Sequence, residues 1–111
     1  MFQTIAPIFP ALNIQITALF YRDKLDFEIS WFGNYMVVTK GQIQIYFFED
    51  KHNYERYSCF IFVTNIEDMY AKFSSMGMLE PGGMLEVKPG NLKTFRITDN
   101  NGHELNFGEK P

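Results

Sequence analysis

Cysteine is nearly absent: Cys59 is the single one in 111 residues, and histidine appears only as His52 and His103. One thiol cannot close an internal disulfide, so nothing in the cysteine pattern argues for export. Two histidines so far apart in sequence are no evidence of a site. Positive charge is also short. Ten Lys and Arg face thirteen Asp and Glu, a formal net charge of −3 with no basic cluster, which argues against a nucleic-acid partner. No segment approaches the roughly 18 apolar residues of a membrane span, and the opening MFQTIAPIFP has no basic n-region. These absences point to a cytoplasmic protein. There is no GxGxxG or Walker loop and no suggestive Ser/His/Asp spacing. Cys59 lies in the apolar run SCFIFV, where a cysteine is expected to be inert packing.

Aromatic side chains, by contrast, are abundant. Twelve Phe, six Tyr and one Trp make 17% of the chain, more than a core of this size needs, so some rings should face a cavity or a partner. The length suits one domain, residues 1–111. Asn13 precedes Ile14, Thr17, Ala18, Tyr21 and Leu25, an apolar stripe at helical spacing with an N-cap. Asn65 precedes Ile66, Met69, Tyr70, Phe73 and Met76, and Gly77 follows as a stop. Helices are predicted near 14–24 and 66–76. Elsewhere the period is two. FEISWF, YMVVT and QIQIYFF read as strands joined by Gly33-Asn34 and Lys40-Gly41, and SCFIFV, KTFRIT and ELNF as three more. Residues 80–91, rich in Pro and Gly, read as a long loop with at most a short strand. Asn13-Ile14 recurs as Asn65-Ile66, 65 − 13 = 52 positions later, and at that offset Phe9 meets Ile61 and Tyr21 meets Phe73. Each half therefore reads strand, helix, three strands: module one about 4–49, a linker loop 50–57, module two about 58–108.

Three stretches carry a resemblance. PIFPALNIQITALFYRDKLDFEI, YSCFIFVTNIEDMYAKF and FRITDNNGHELNF resemble, in order and spacing, the opening, second repeat and closing hairpin of the glyoxalase/bleomycin resistance (vicinal oxygen chelate) superfamily, bleomycin-resistance branch. The resemblance implies an α+β fold in which two βαβββ modules form a curved mixed sheet with helices on the outer face. It also implies a homodimer, arm-exchanged in that branch, with ligand clefts at the subunit interface.

Metal-dependent members of that superfamily carry four ligands on the hollow face, usually His, Gln or Glu. Carried over by position, those places are Ala6, Tyr46, Ser58 and Asn106, a poor donor set even for a hard cation. No metal and no cofactor are therefore expected, and no catalytic residue. In the closing hairpin, Asp99 is expected to bond backbone amides while Asn and Gly take positive φ, with His103 solvated in the turn. Ring-bearing and polar side chains are then the candidate ligand-binding set: Trp31, Tyr35, Tyr46, Phe48, Tyr57, Glu104 and Asn106. Such walls suit an aromatic, cationic antibiotic held by stacking and cation–π attraction. The branch also carries a Pro-Trp-Gly whose places here are Pro89, Gly90 and Asn91, so one stacking ring is missing. Two alternatives stand beside sequestration: a metal-dependent glyoxalase- or dioxygenase-type enzyme, and a degenerate, non-binding interaction module.

Overall fold

The computed structural model describes residues 1–111 and separates into two compact units, Met1–Glu55 and Arg56–Pro111. Each unit is βαβββ, with one helix and one four-stranded mixed sheet, so the architecture is α+β.

In the first unit the order is β1 (Ile8–Ala11), α1 (Ile14–Asp23), β2 (Glu28–Phe32), β3 (Tyr35–Lys40) and β4 (Ile43–Glu49). Helix α1 starts where the sequence marks it: the Asn13 side-chain oxygen accepts the Ile16 N–H at 3.1 Å. Its buried stripe is Ile14, Thr17 and Tyr21. Tyr21 meets Phe27 and Phe47 edge-on, with ring centroids 5.6 and 5.1 Å apart, and each such pair adds about 0.5–1.5 kcal/mol beyond its area burial. The sheet runs β1-β4-β3-β2; β1 lies parallel to β4 and the other pairs are antiparallel. Parallel pairing demands a crossover, and α1 lies within that crossover.

The second unit repeats the plan: β5 (Ser58–Phe62), α2 (Ile66–Ser75), β6 (Glu86–Lys88), β7 (Leu92–Thr98) and β8 (Glu104–Glu109), with sheet order β5-β8-β7-β6 and β5 parallel to β8. Phe73 stacks on Phe107 at 5.9 Å and leans on Phe95 at 6.1 Å. The predicted short strand in the 80–91 loop is β6.

One helix start departs from expectation. Asn65 sits at φ 55°, in the left-handed region, and its side chain makes no capping bond. Instead Glu109, at the end of β8, accepts the Ile66 N–H at 3.0 Å, and Glu49, at the end of β4, accepts the Ile14 N–H at 3.1 Å. In each unit the last strand thus delivers a carboxylate to the helix N-terminus, where unpaired N–H groups and the helix dipole favour negative charge.

Candidate functional site

Strand alternation divides each sheet into a face under its helix and a helix-free face. In the first unit Met36, Val38, Ile45 and Phe47 are fully buried on the helix side. The register Val37↔Tyr46, Phe32↔Tyr35 and Pro10↔Phe48 places Tyr35, Tyr46, Phe48 and Phe32 together on the helix-free face. The Tyr35 and Tyr46 rings meet edge-on at 5.8 Å. Tyr35 is 36% and Phe32 70% exposed, while Tyr46 and Phe48 are half-buried over the buried Val37. Glu28, exposed, belongs to the same face two positions before Ser30. This face therefore offers aromatic edges and planes, with one carboxylate on the same face at the other end of β2.

Trp31 does not join them. It pairs with Met36, so its side chain leaves the sheet on the helix side, near the open end of β2 and 56% exposed. Closeness to the Gly33-Asn34 hairpin suggests common company with Tyr35; the parity of the strand decides otherwise. Phe27, packed on Tyr21, lies at even spacing from Trp31 and marks the same side.

In the second unit the register Ser58↔Glu104, Phe60↔Asn106, Arg96↔Asn106 and Thr98↔Glu104 groups Glu104, Asn106, Arg96 and Phe60 on the helix-free face. The Asn106 amide donates to the Cys59 carbonyl at 3.1 Å, which fixes its orientation. Arg96 Nε stands 3.8 Å from a Glu104 carboxylate oxygen, an ion pair too long to be a hydrogen bond. The Cys59 side chain points to the other side, and burial, reinforced by the Asp99 carboxylate, pushes its thiol up to about 11.

Tyr57 stands just ahead of β5, 37% exposed, tied to the closing hairpin. Its ring lies edge-on to His103 at 5.6 Å, its N–H donates to His103 Nδ1 at 3.1 Å, and its carbonyl accepts the Glu104 N–H at 2.8 Å. His103 is thus not a solvated turn residue: it is 1% exposed. Nothing local in DNNGHEL signals this, because the partner lies 46 positions away. Asp99 behaves as expected, its carboxylate accepting the N–H groups of Asn101 (2.8 Å) and His103 (2.9 Å). In this turn only Gly102 takes a positive φ; the two asparagines do not.

Among solved structures the likeness is strong. A bleomycin resistance determinant encoded on the transposon Tn5 superposes with a TM-score of 0.83 over 98% of each chain at 19% identity. A bleomycin-binding protein complexed with bleomycin gives 0.81 over 99% of this chain and 100% of that one, at 18% identity. A lactoylglutathione lyase from Agrobacterium tumefaciens gives 0.79 over 96% and 92%, at 13% identity. The chain has the glyoxalase/bleomycin resistance fold. No protein-family model matches the sequence, and no curated protein does.

Solved structures of this fold include a lyase and a bleomycin-binding protein, so the side chains present, and not the fold, decide the chemistry. No three or more His, Cys, Asp or Glu side chains gather anywhere in the chain in a way that could hold a metal ion. Of the four places where metal-dependent chains of this fold are expected to carry ligands, Ala6 has no donor. Tyr46 is engaged with Tyr35, and the Asn106 amide with a backbone carbonyl. Ser58 is exposed at the start of β5. A hydroxyl, a phenol and a carboxamide do not fit a divalent cation that needs charged or imidazole donors.

Proposed function

We propose that the chain is a metal-free small-molecule-binding protein that sequesters an aromatic, cationic antibiotic-like ligand without turning it over, in clefts at a homodimer interface. The helix-free face of the first unit carries the reading: Tyr35, Tyr46 and Phe48 side by side, with the Glu28 carboxylate on the same surface. Rings of this kind stack on a planar ligand and attract its positive charge, each contact worth roughly 0.5–2 kcal/mol. In the second unit, taken by itself, Glu104 and Asn106 share the helix-free face of their own sheet. The dimer reading draws support from the first residues: Met1, Phe2 and Ile5 are almost fully exposed and Ile8 is half-exposed, apolar surface that a partner subunit would cover.

Calorimetric titration with metal-free bleomycin tests the proposal. Saturable binding that Tyr46→Ala and Phe48→Ala each weaken about tenfold, with unchanged folding, is the expected result. Tight binding unaffected by both variants would place the ligand elsewhere. No heat with bleomycin or with other planar cations would leave the degenerate-module reading.

A further inference from the structure

A second, smaller binding feature lies wholly within the second unit. Beside β7 the 82–84 turn folds against the sheet edge and borders a half-open pocket of about 90 Å³, lined by Phe60, Met84, Glu86, Thr94, Arg96 and Asn106 among others. The turn is tied to the arginine's own backbone: the Arg96 N–H donates to the Gly83 carbonyl at 3.0 Å. It can come so near only because residue 83 lacks a side chain; a Cβ there would stand 2.5 Å from the Arg96 carbonyl oxygen. The guanidinium lies along the neighbouring Gly82, with Nη2 3.5 Å from where a Cβ would be.

Arg96 Nε is fully buried and makes no hydrogen bond, alone among the buried side-chain nitrogens and oxygens of the chain. A buried charged donor without an acceptor costs more than an ordinary lost bond, so the chain holds this guanidinium short of acceptors, while the part of the side chain that stays accessible borders the pocket. The nearby carboxylates do not supply it. Glu104 stays at 3.8 Å, and Glu86 is held by Lys88 at 2.6 Å. The walls are mixed: Phe60 and Met84 are exposed at 46% and 64%, while Thr94 is buried.

We propose that this pocket is a carboxylate-binding subsite, in which Arg96 grips the carboxylate of a small organic acid while the acid's apolar remainder rests on Phe60 and Met84. A planar guanidinium presents its N–H groups in a fork that matches a carboxylate, which makes carboxylate the fitting acceptor class. Thr94 and Asn106 line the same space, the Asn106 amide nitrogen already donating to the Cys59 carbonyl. Glu86 and Glu104 oppose the anion, so affinity is modest and rests on the geometry of the arginine rather than on net charge. This subsite shares Asn106 with the proposed ligand-binding set but uses no residue of the first unit's ring face, and it takes the opposite charge.

The test is a nitrogen–proton NMR titration of the full chain with phenylacetate, and with its neutral counterpart phenylacetamide. The Arg96 Nε–H signal of the wild-type protein should move downfield and saturate with phenylacetate, together with the amides of Thr94, Phe95 and Asn106. Phenylacetamide should move it little. Arg96→Gln should abolish saturation or weaken it at least about tenfold, and Arg96→Lys should keep part of it. A wild-type Arg96 signal that does not respond to the acid, or responds equally to the amide, overturns the proposal whether or not the variants fold. Unchanged affinity in a folded Arg96→Gln chain overturns it too. Neither result decides whether bleomycin binds the ring face of the first unit.

Discussion

His103 is held where its Nδ1 accepts the Tyr57 N–H, so it ties the entry of the second unit to its last hairpin. His103→Ala should destabilise the protein by about 2 kcal/mol, since it strips a partly buried N–H of its acceptor and opens space in a packed turn. His103→Asn, which restores an acceptor at nearly the same place, should recover a good part of that loss in urea denaturation. The same turn shows the limit of local reading. Asp99 and Gly102 are assignable from their own neighbours, because the Asp99 carboxylate acts over two to four residues. His103 is not, because its burial is set by Tyr57 arriving from a distant part of the chain. Cys59 gives a pH prediction at this scale. Its folded thiol lies near 11, above the 9.0 of a free thiol. A raised folded value means that the native state keeps its proton longer than the unfolded chain. The contribution is complete below about 9 and is lost as pH climbs toward about 11. Native protein at pH 8 should thus react slowly with a disulfide reagent and unfolded protein rapidly, and the alkaline fall in melting temperature should shrink in Cys59→Ala.

At the level of elements, both helices are legible in the sequence, because Ile14, Thr17, Tyr21 and Ile66, Phe73 recur at helical spacing and become the buried stripes. What starts each helix is only half legible. Asn13 caps α1 directly, but the matching Asn65 turns left-handed and leaves α2 to Glu109, 43 positions away. This difference ranks two variants. Glu49→Ala removes one acceptor from a helix that keeps its Asn13 cap, whereas Glu109→Ala removes from α2 its side-chain acceptor at Ile66 with no Asn65 cap in reserve. Each should cost about 1 kcal/mol, with Glu109→Ala the larger, as read by denaturant midpoints. The turn before β7 shows a different constraint. Gly90 occupies the place where the resembling branch carries tryptophan, and here it takes φ 80° with open space around it. A Cβ at this position would meet nothing within 4 Å, but Gly90→Trp would strain the backbone by about 1 kcal/mol, which lower denaturant midpoints should show.

For the whole molecule, the internal repeat at an offset of 52 becomes two βαβββ units because repeated positions serve the same purpose in each, Phe9 and Ile61 in first strands, Tyr21 and Phe73 on helix faces. Which rings share a surface is legible only where parity is followed. Tyr46 and Phe48 alternate on one strand and do lie together, while Trp31, near Tyr35 only by way of a turn, lies across the sheet. The parity argument makes the ring face testable as a unit. If Tyr35 and Tyr46 act as one wall, single alanine variants should each weaken a bound planar cation, and the double variant should weaken it by less than the sum, with a coupling of about 0.5–1.5 kcal/mol. Trp31→Ala should leave affinity within about twofold, because surface positions without contact add little. The exposed apolar start of the chain extends this to assembly. Phe2 and Ile5 have no cover within the subunit, at 107% and 93% exposure. If the chain pairs as proposed, Phe2→Ser with Ile5→Ser should shift sedimentation from dimer toward monomer while the melting of a dilute sample barely changes. A dimer untouched by both substitutions would mean that these side chains stay in water and that some other surface joins the subunits.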